Sequence, residues 1–114
     1  MKNYVSDGDA LSLPAPYAVA SGAGALIGSI FGVAQAAYAS GATGQFQLEG
    51  VFDLPKPGTQ AWTVGAIIYW DDTAKNCTTV VSTNKKIGAA VLAVGAGAGE
   101  TTGRVYLPGA LAQV

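Results

Sequence analysis

Gln45-Phe46-Gln47-Leu48-Glu49-Gly50-Val51-Phe52 alternates polar and apolar residues. Successive side chains of a strand point to opposite faces, so this run reads as a half-buried β-strand with Phe46 and Leu48 on the covered side. Gly50 is expected to shift the phase before Val51 and Phe52. No long stripe of helical period competes with it anywhere in the chain.

Outward from this strand, the sequence is a series of short β-prone runs broken by glycine, proline and Asx turns at spacings of about ten residues. Toward the C-terminus, Asp53-Leu54-Pro55-Lys56-Pro57-Gly58 is a rigid loop. Residues 62–70 form a β-branched and aromatic run interrupted by Gly65. Asp71-Asp72-Thr73-Ala74-Lys75-Asn76 is a turn, Cys77-Thr78-Thr79-Val80-Val81-Ser82 has high β propensity, and Thr83-Asn84-Lys85-Lys86 turns again. Residues 87–94 are apolar on both parities, as in a strand covered on both faces or a short buried helix. Gly95-Ala96-Gly97-Ala98-Gly99 ends that segment, and Arg104-Val105-Tyr106-Leu107-Pro108 reads as a final strand.

Toward the N-terminus, residues 25–34 are apolar throughout, with Gly28 and Gly32 suited to a bulge or a close backbone approach. Pro14 and Pro16 remove backbone donors and favour extended geometry at Leu13 and Ala15. Residues 1–16 therefore read as an extended arm or edge strand, and residues 17–114 as one β domain. The expected fold is a small single-domain all-β sandwich or barrel-like (β-tulip-like) meander. A chain of 114 residues is long enough for one core and too short for two domains.

Composition narrows the function. Half of the residues are apolar and only 11% are charged, against about 25% in an ordinary soluble domain. So uncharged a surface exposes apolar patches of the kind that mark contact sites. Six basic residues against seven acidic ones leave little for a phosphate backbone to bind, so no nucleic-acid partner is expected. The charge-free interval between Asp9 and Glu49 has the length of a membrane span, but residues 17–39 are mostly Ala, Gly and Ser around a central Gln35. No membrane association is expected. The N-terminus lacks the apolar core of a signal peptide, which points to synthesis in the cytoplasm.

Enzyme chemistry finds few carriers. There is no histidine, which removes the commonest general base, and the single Cys77 cannot form an intrachain disulfide or a multi-thiolate zinc site. Asp71 and Asp72 fit a turn better than a catalytic pair, and a hydrolase using Asp71 or Glu49 is a remote alternative. The glycine-rich runs at residues 22–28 and 95–100 match no phosphate-loop spacing, and Asn76-Cys77-Thr78 fits a glycosylation pattern by chance. No catalytic residue, cofactor or metal site is expected. Trp62, Tyr69 and Trp70 could stack on a sugar, but aromatics in strands more often anchor cores and interfaces.

Taken in order, Met1-Lys2-Asn3-Tyr4-Val5 with Gly8-Asp9, Gly28-Ser29-Ile30-Phe31-Gly32-Val33-Ala34, Glu49-Gly50-Val51-Phe52-Asp53-Leu54-Pro55-Lys56, Tyr69-Trp70-Asp71-Asp72, Ile87-Gly88 and Arg104-Val105-Tyr106-Leu107 resemble the capsid cement (decoration) proteins of tailed bacteriophages. The resemblance implies a structural virion protein on the capsid exterior, bound to the major capsid protein, clamping adjacent capsomers and associating as a homotrimer. It carries no catalytic residues. The candidate interface residues are Tyr4, Val5, Leu11, Leu13, Pro14 and Pro16 of the arm, together with Trp62 and Trp70. The alternative is a surface carbohydrate-binding or adhesin module on the virion, using Trp62, Tyr69 or Trp70.

Overall fold

The computed structural model describes residues 8–112, which form nine β-strands and no helix. Strands β1 (Ala10–Pro14), β2 (Gly24–Ile27), β3 (Ile30–Ala34) and β4 (Thr43–Gln47) make a four-stranded sheet in the order β1-β4-β3-β2. Strands β5 (Glu49–Pro55), β6 (Ile67–Asp71), β7 (Asn76–Thr78), β8 (Lys85–Ala90) and β9 (Thr102–Pro108) make a five-stranded sheet in the order β5-β9-β8-β6-β7. Every pairing is antiparallel. The expected all-β class is what forms. The meander is confined to β2-β3-β4, because β9 inserts between β5 and β8 and β6 pairs with both β7 and β8.

The alternating run is the hinge of the architecture. Strands β4 and β5 are separated only by Leu48, so one nearly continuous stretch leaves the first sheet and enters the second. The expected phase shift at Gly50 does not occur. Gly44, Phe46, Leu48 and Leu54 are buried while Gln45, Glu49, Val51 and Asp53 are exposed, so even positions stay inward from one end to the other. Gly50 takes an inward position at φ +133°, and the ring of Phe52 covers the space that a side chain there would use.

Two cores result. Phe46 joins Ala15, Val19, Ala25 and Ala34 in a small cluster on one side of the first sheet. Leu54 joins a larger cluster containing Phe31, Val33, Trp62, Ile68, Trp70, Cys77, Ile87, Val105 and Leu107 between the two sheets. Strand β3 feeds both, with Phe31 and Val33 toward one and Ala34 toward the other. That double coverage explains why residues 30–34 are apolar on both parities, while Gly28 and Ser29 stand exposed in the turn before them. Gly28 lies in the turn joining β2 to β3, and Gly32 is a close approach, its missing side chain leaving room for the Cβ of Phe46. No helix among the described residues is long and apolar enough to cross a membrane.

Of the segment expected as an extended arm or edge strand, the described part is an edge strand. Residues 10–14 ladder with β4 at the edge of the first sheet, and Ala15 is buried in the smaller core, its N–H donating to the Ala42 carbonyl (2.9 Å). The two sheets are also tied at their rims. The Tyr17 ring lies under the Lys75 ammonium at 4.2 Å, and its hydroxyl donates to the Gly24 carbonyl at 3.1 Å. The Ala112 N–H donates to the Ser29 carbonyl in the β2–β3 turn (2.7 Å).

A repeated device starts three of the strands. Ala20-Ser21-Gly22-Ala23, Ala39-Ser40-Gly41-Ala42 and Thr63-Val64-Gly65-Ala66 each close a turn by a backbone bond from the fourth residue to the first, at 3.1, 3.0 and 3.1 Å. The third residue has φ of +84°, +83° and +89° respectively, the left-handed value that a type II turn demands and glycine supplies. Each turn follows a single bridge residue, Val19, Tyr38 or Trp62, and leads into β2, β4 or β6.

Cys77 has no exposed surface, and burial pushes its thiol up to about 12. A thiolate is the reactive form. Maleimide or disulfide reagents at pH 8 are therefore expected to modify Cys77 only at the rate at which the domain unfolds. Fast stoichiometric labelling in native buffer would contradict this placement.

Candidate functional site

Asp71, Asp72 and Asp53 are occupied by structure. Asp71 Oδ1 accepts the N–H groups of Thr73 (3.0 Å) and Ala74 (3.1 Å), which is the turn role its sequence suggests. Asp72 Oδ1 accepts the Trp70 Nε1–H at 3.0 Å and pairs with Lys75 at 3.1 Å. Asp53 receives Arg104 through Nε (2.9 Å) and Nη2 (3.3 Å), and that hydrogen bonding holds its carboxyl below the ordinary value. Glu49 is displaced upward by a hydrogen bond shared with the Asp9 carboxyl and by that group's charge. It stands in open solvent. Among the described residues, no three His, Cys, Asp or Glu side chains converge as a metal site.

Trp62 and Trp70, read from the sequence as interface candidates, are core residues, each only 1% exposed. The Trp62 indole donates to Gln60 Oε1 at 2.8 Å, and Trp70 packs against Phe31 with ring centroids 4.9 Å apart. Strand β6 turns Ile68 and Trp70 inward and leaves Ile67 and Tyr69 on the other face. The sugar-stacking platform thus loses two of its three rings to the interior, and Tyr69 is half-buried. Leu11 and Leu13 are half-buried on the edge strand β1, Pro14 and Pro16 are exposed beside them, and Tyr4 and Val5 lie outside the described residues.

The surface that stands out is the outward face of the five-stranded sheet. Strand β9 alternates without a break, with Gly103, Val105 and Leu107 buried and Arg104, Tyr106 and Pro108 exposed. Cross-strand register then places Val51 opposite Tyr106, Tyr106 opposite Ala89, and Ala89 opposite Ile67. Four adjacent strands, β5, β9, β8 and β6, thereby carry one apolar row across the sheet. Val51 is 54% exposed, and Tyr106 and Ile67 are each 47% exposed. Directly opposed side chains on one sheet face lie about 5 Å apart, so the row is a contiguous patch rather than scattered apolar residues. The Arg104–Asp53 pair borders it on one side.

A recess of about 240 Å³ opens in the same face, bounded by Ile67, Ile87, Ala89, Tyr106, Pro108 and Leu111, with Lys86 and Gly88 completing its wall. It exists because β8 carries a bulge. Ile68 pairs with Gly88 and Tyr69 pairs with Lys86, so Ile87 is an extra residue. Ile87 drops into the core at 6% exposed and forms the floor. Gly88 is required there, because a side chain at that position would collide with the Tyr106 carbonyl.

The sequence pointed to aromatic residues and missed this patch. One local signal was available: charged Arg104 and apolar Val105 alternate with Tyr106 and Leu107, which puts Tyr106 on the solvent side with Arg104. The other members of the row come together only through register.

A model of a family described as phage cement protein matches residues 5–107. Comparisons with curated proteins and with solved structures give no match. The family match spans both sheets and the whole apolar row, and on it the chain belongs to the phage cement protein family.

Proposed function

We propose that this protein binds the outer surface of a tailed-phage head, against the major capsid protein, and stabilises the contacts between neighbouring capsomers. Membership of the cement family gives the capsid-associated structural role. The observation that carries the finer reading is the apolar row Val51–Tyr106–Ala89–Ile67, a sheet face with tyrosine at its centre and only one ion pair beside it. Interface cores are depleted in charge and enriched in tyrosine, and the row itself carries no formal charge, its charged neighbours standing at its edges. The protein is made in the cytoplasm of the bacterial host and assembles as a homotrimer on the head exterior.

Co-sedimentation with undecorated heads tests this reading. Purified protein is expected to bind to saturation and to raise the temperature at which heads release DNA. Tyr106→Ala is expected to weaken binding by tenfold or more while leaving the melting temperature of the free protein nearly unchanged, because a central aromatic anchor dominates such a surface by about 2 kcal/mol. Saturable binding by the wild type and by Tyr106→Ala with equal affinity would remove this face from the contact. Light-scattering mass of the free protein checks the trimer.

A further inference from the structure

Resting on the capsid-binding reading, we infer that the recess beside Tyr106 is a socket for one apolar side chain of the capsid surface, presented next to a carboxylate that pairs with Lys86. Three observations carry this. First, the recess is preformed. Its floor is the bulged Ile87, and one wall is the segment carrying Leu111, which is pinned by the buried Ala112 and by the Ala112–Ser29 backbone bond at 2.7 Å. A socket that does not have to be opened loses little free energy to ordering on binding. Second, its size is right for a ring or a branched side chain. About 150 Å³ of apolar space is enough to take up benzene, and this recess offers about 240 Å³.

Third, the charge is one-sided. Lys86 is the only charged residue lining the recess. The ion pairs formed among the described residues are Lys75–Asp72 and Arg104–Asp53, and neither involves Lys86. An apolar socket whose one rim ammonium is paired by no described residue is complementary to an apolar side chain flanked by Asp or Glu. It disfavours a basic neighbour by like-charge repulsion. A second copy of this chain is the competing occupant, since Val51 on this face stands beside the exposed Glu49 carboxylate, and the light-scattering arm of the test separates the two.

The test is co-sedimentation with undecorated heads at low and moderate salt, with light-scattering mass run in parallel. Lys86→Glu is expected to weaken head binding about tenfold at low salt, whereas Lys86→Arg binds like the wild type. Ala89→Phe, which fills the socket from its own strand, is expected to weaken binding at both salt concentrations. Wild-type affinity is expected to fall as salt rises, with that dependence reduced in Lys86→Gln. Wild-type binding that survives both Lys86→Glu and Ala89→Phe unchanged would overturn the socket and leave the capsid role standing. No binding of the wild type at either salt would take down the capsid role itself. Variants that dissociate the free oligomer while heads still bind the protein would show that a second copy fills the recess, and would overturn the capsid assignment of the socket.

Discussion

Trp70→Ala is expected to lower the unfolding free energy by about 3–5 kcal/mol, the usual cost of deleting a fully buried indole. A domain of this size has only about 5–15 kcal/mol to lose, so the variant should stand near the limit of folding at 37 °C. The effect is large because Trp70 joins the two sheets. It comes from β6 in the second sheet, and its ring meets Phe31 from β3 in the first at 4.9 Å with a 52° tilt. Its Nε1–H bond ends on Asp72, half in solvent, so losing that partner adds little. Urea unfolding followed by far-UV circular dichroism measures the loss. Phe31→Ala combined with Trp70→Ala should cost less than the sum of the two, by about 0.5–1.5 kcal/mol for the aromatic pair. A Trp70→Ala loss below about 1 kcal/mol would mean that the sheets are held together elsewhere.

The same residue shows where sequence reasoning stops. Alternation at residues 45–52 identified a strand with Phe46 and Leu48 inside because each polar neighbour marks the opposite face. Ile67-Ile68-Tyr69-Trp70 carries no such mark, since all four side chains are large and apolar. Its inward pair is decided by pairing with β8 and, beyond it, β9, from 15 to 40 residues away in the chain. Trp70 therefore read equally well as interface or core. The run at residues 87–94, expected as a strand covered on both faces or a short buried helix, had the same ambiguity: the strand ends at Ala90, with Ile87 and Ala90 buried and Val91 and Leu92 exposed beyond it. The recess was illegible for a further reason: a bulge is a property of two paired strands, and only the unexplained glycine at position 88 hinted at it.

One signal was present and unused. Ala-Ser-Gly-Ala occurs at residues 20–23 and again at 39–42, with Thr-Val-Gly-Ala at 63–66, and each instance starts a strand. The low charge content, by contrast, was read correctly in kind. It announced apolar surface, and the surface exists, but composition has no coordinates and could not place it on the outward face of β5, β9, β8 and β6.

Lys56→Met should cost about 2–3 kcal/mol and loosen the glycine-rich loop that precedes β9. Lys56 is 3% exposed and forms no ion pair among the described residues. Its ammonium instead donates to the carbonyls of Pro57 (2.6 Å) and Glu100 (2.9 Å) and lies 5.7 Å from the centre of the Trp62 ring. Its own N–H donates to the Thr101 carbonyl at 2.9 Å. One residue thus latches the end of β5 to the chain entering β9, in a loop otherwise held by few bonds. Methionine keeps the length and packing of the stem while removing the donors, so two carbonyls lose charge-assisted bonds worth about 1.5–3 kcal/mol each. Removing the need to desolvate an ammonium returns part of that sum, which is why the net is set below two full bonds. Limited proteolysis should detect cleavage near residues 95–99 before global unfolding. Denaturant unfolding should give the lower midpoint with an unchanged slope. A variant as stable and as protease-resistant as the wild type would mean that desolvation cancels both bonds, and that the loop is held by the Glu100 carboxylate on the Gly97 N–H (3.2 Å) instead.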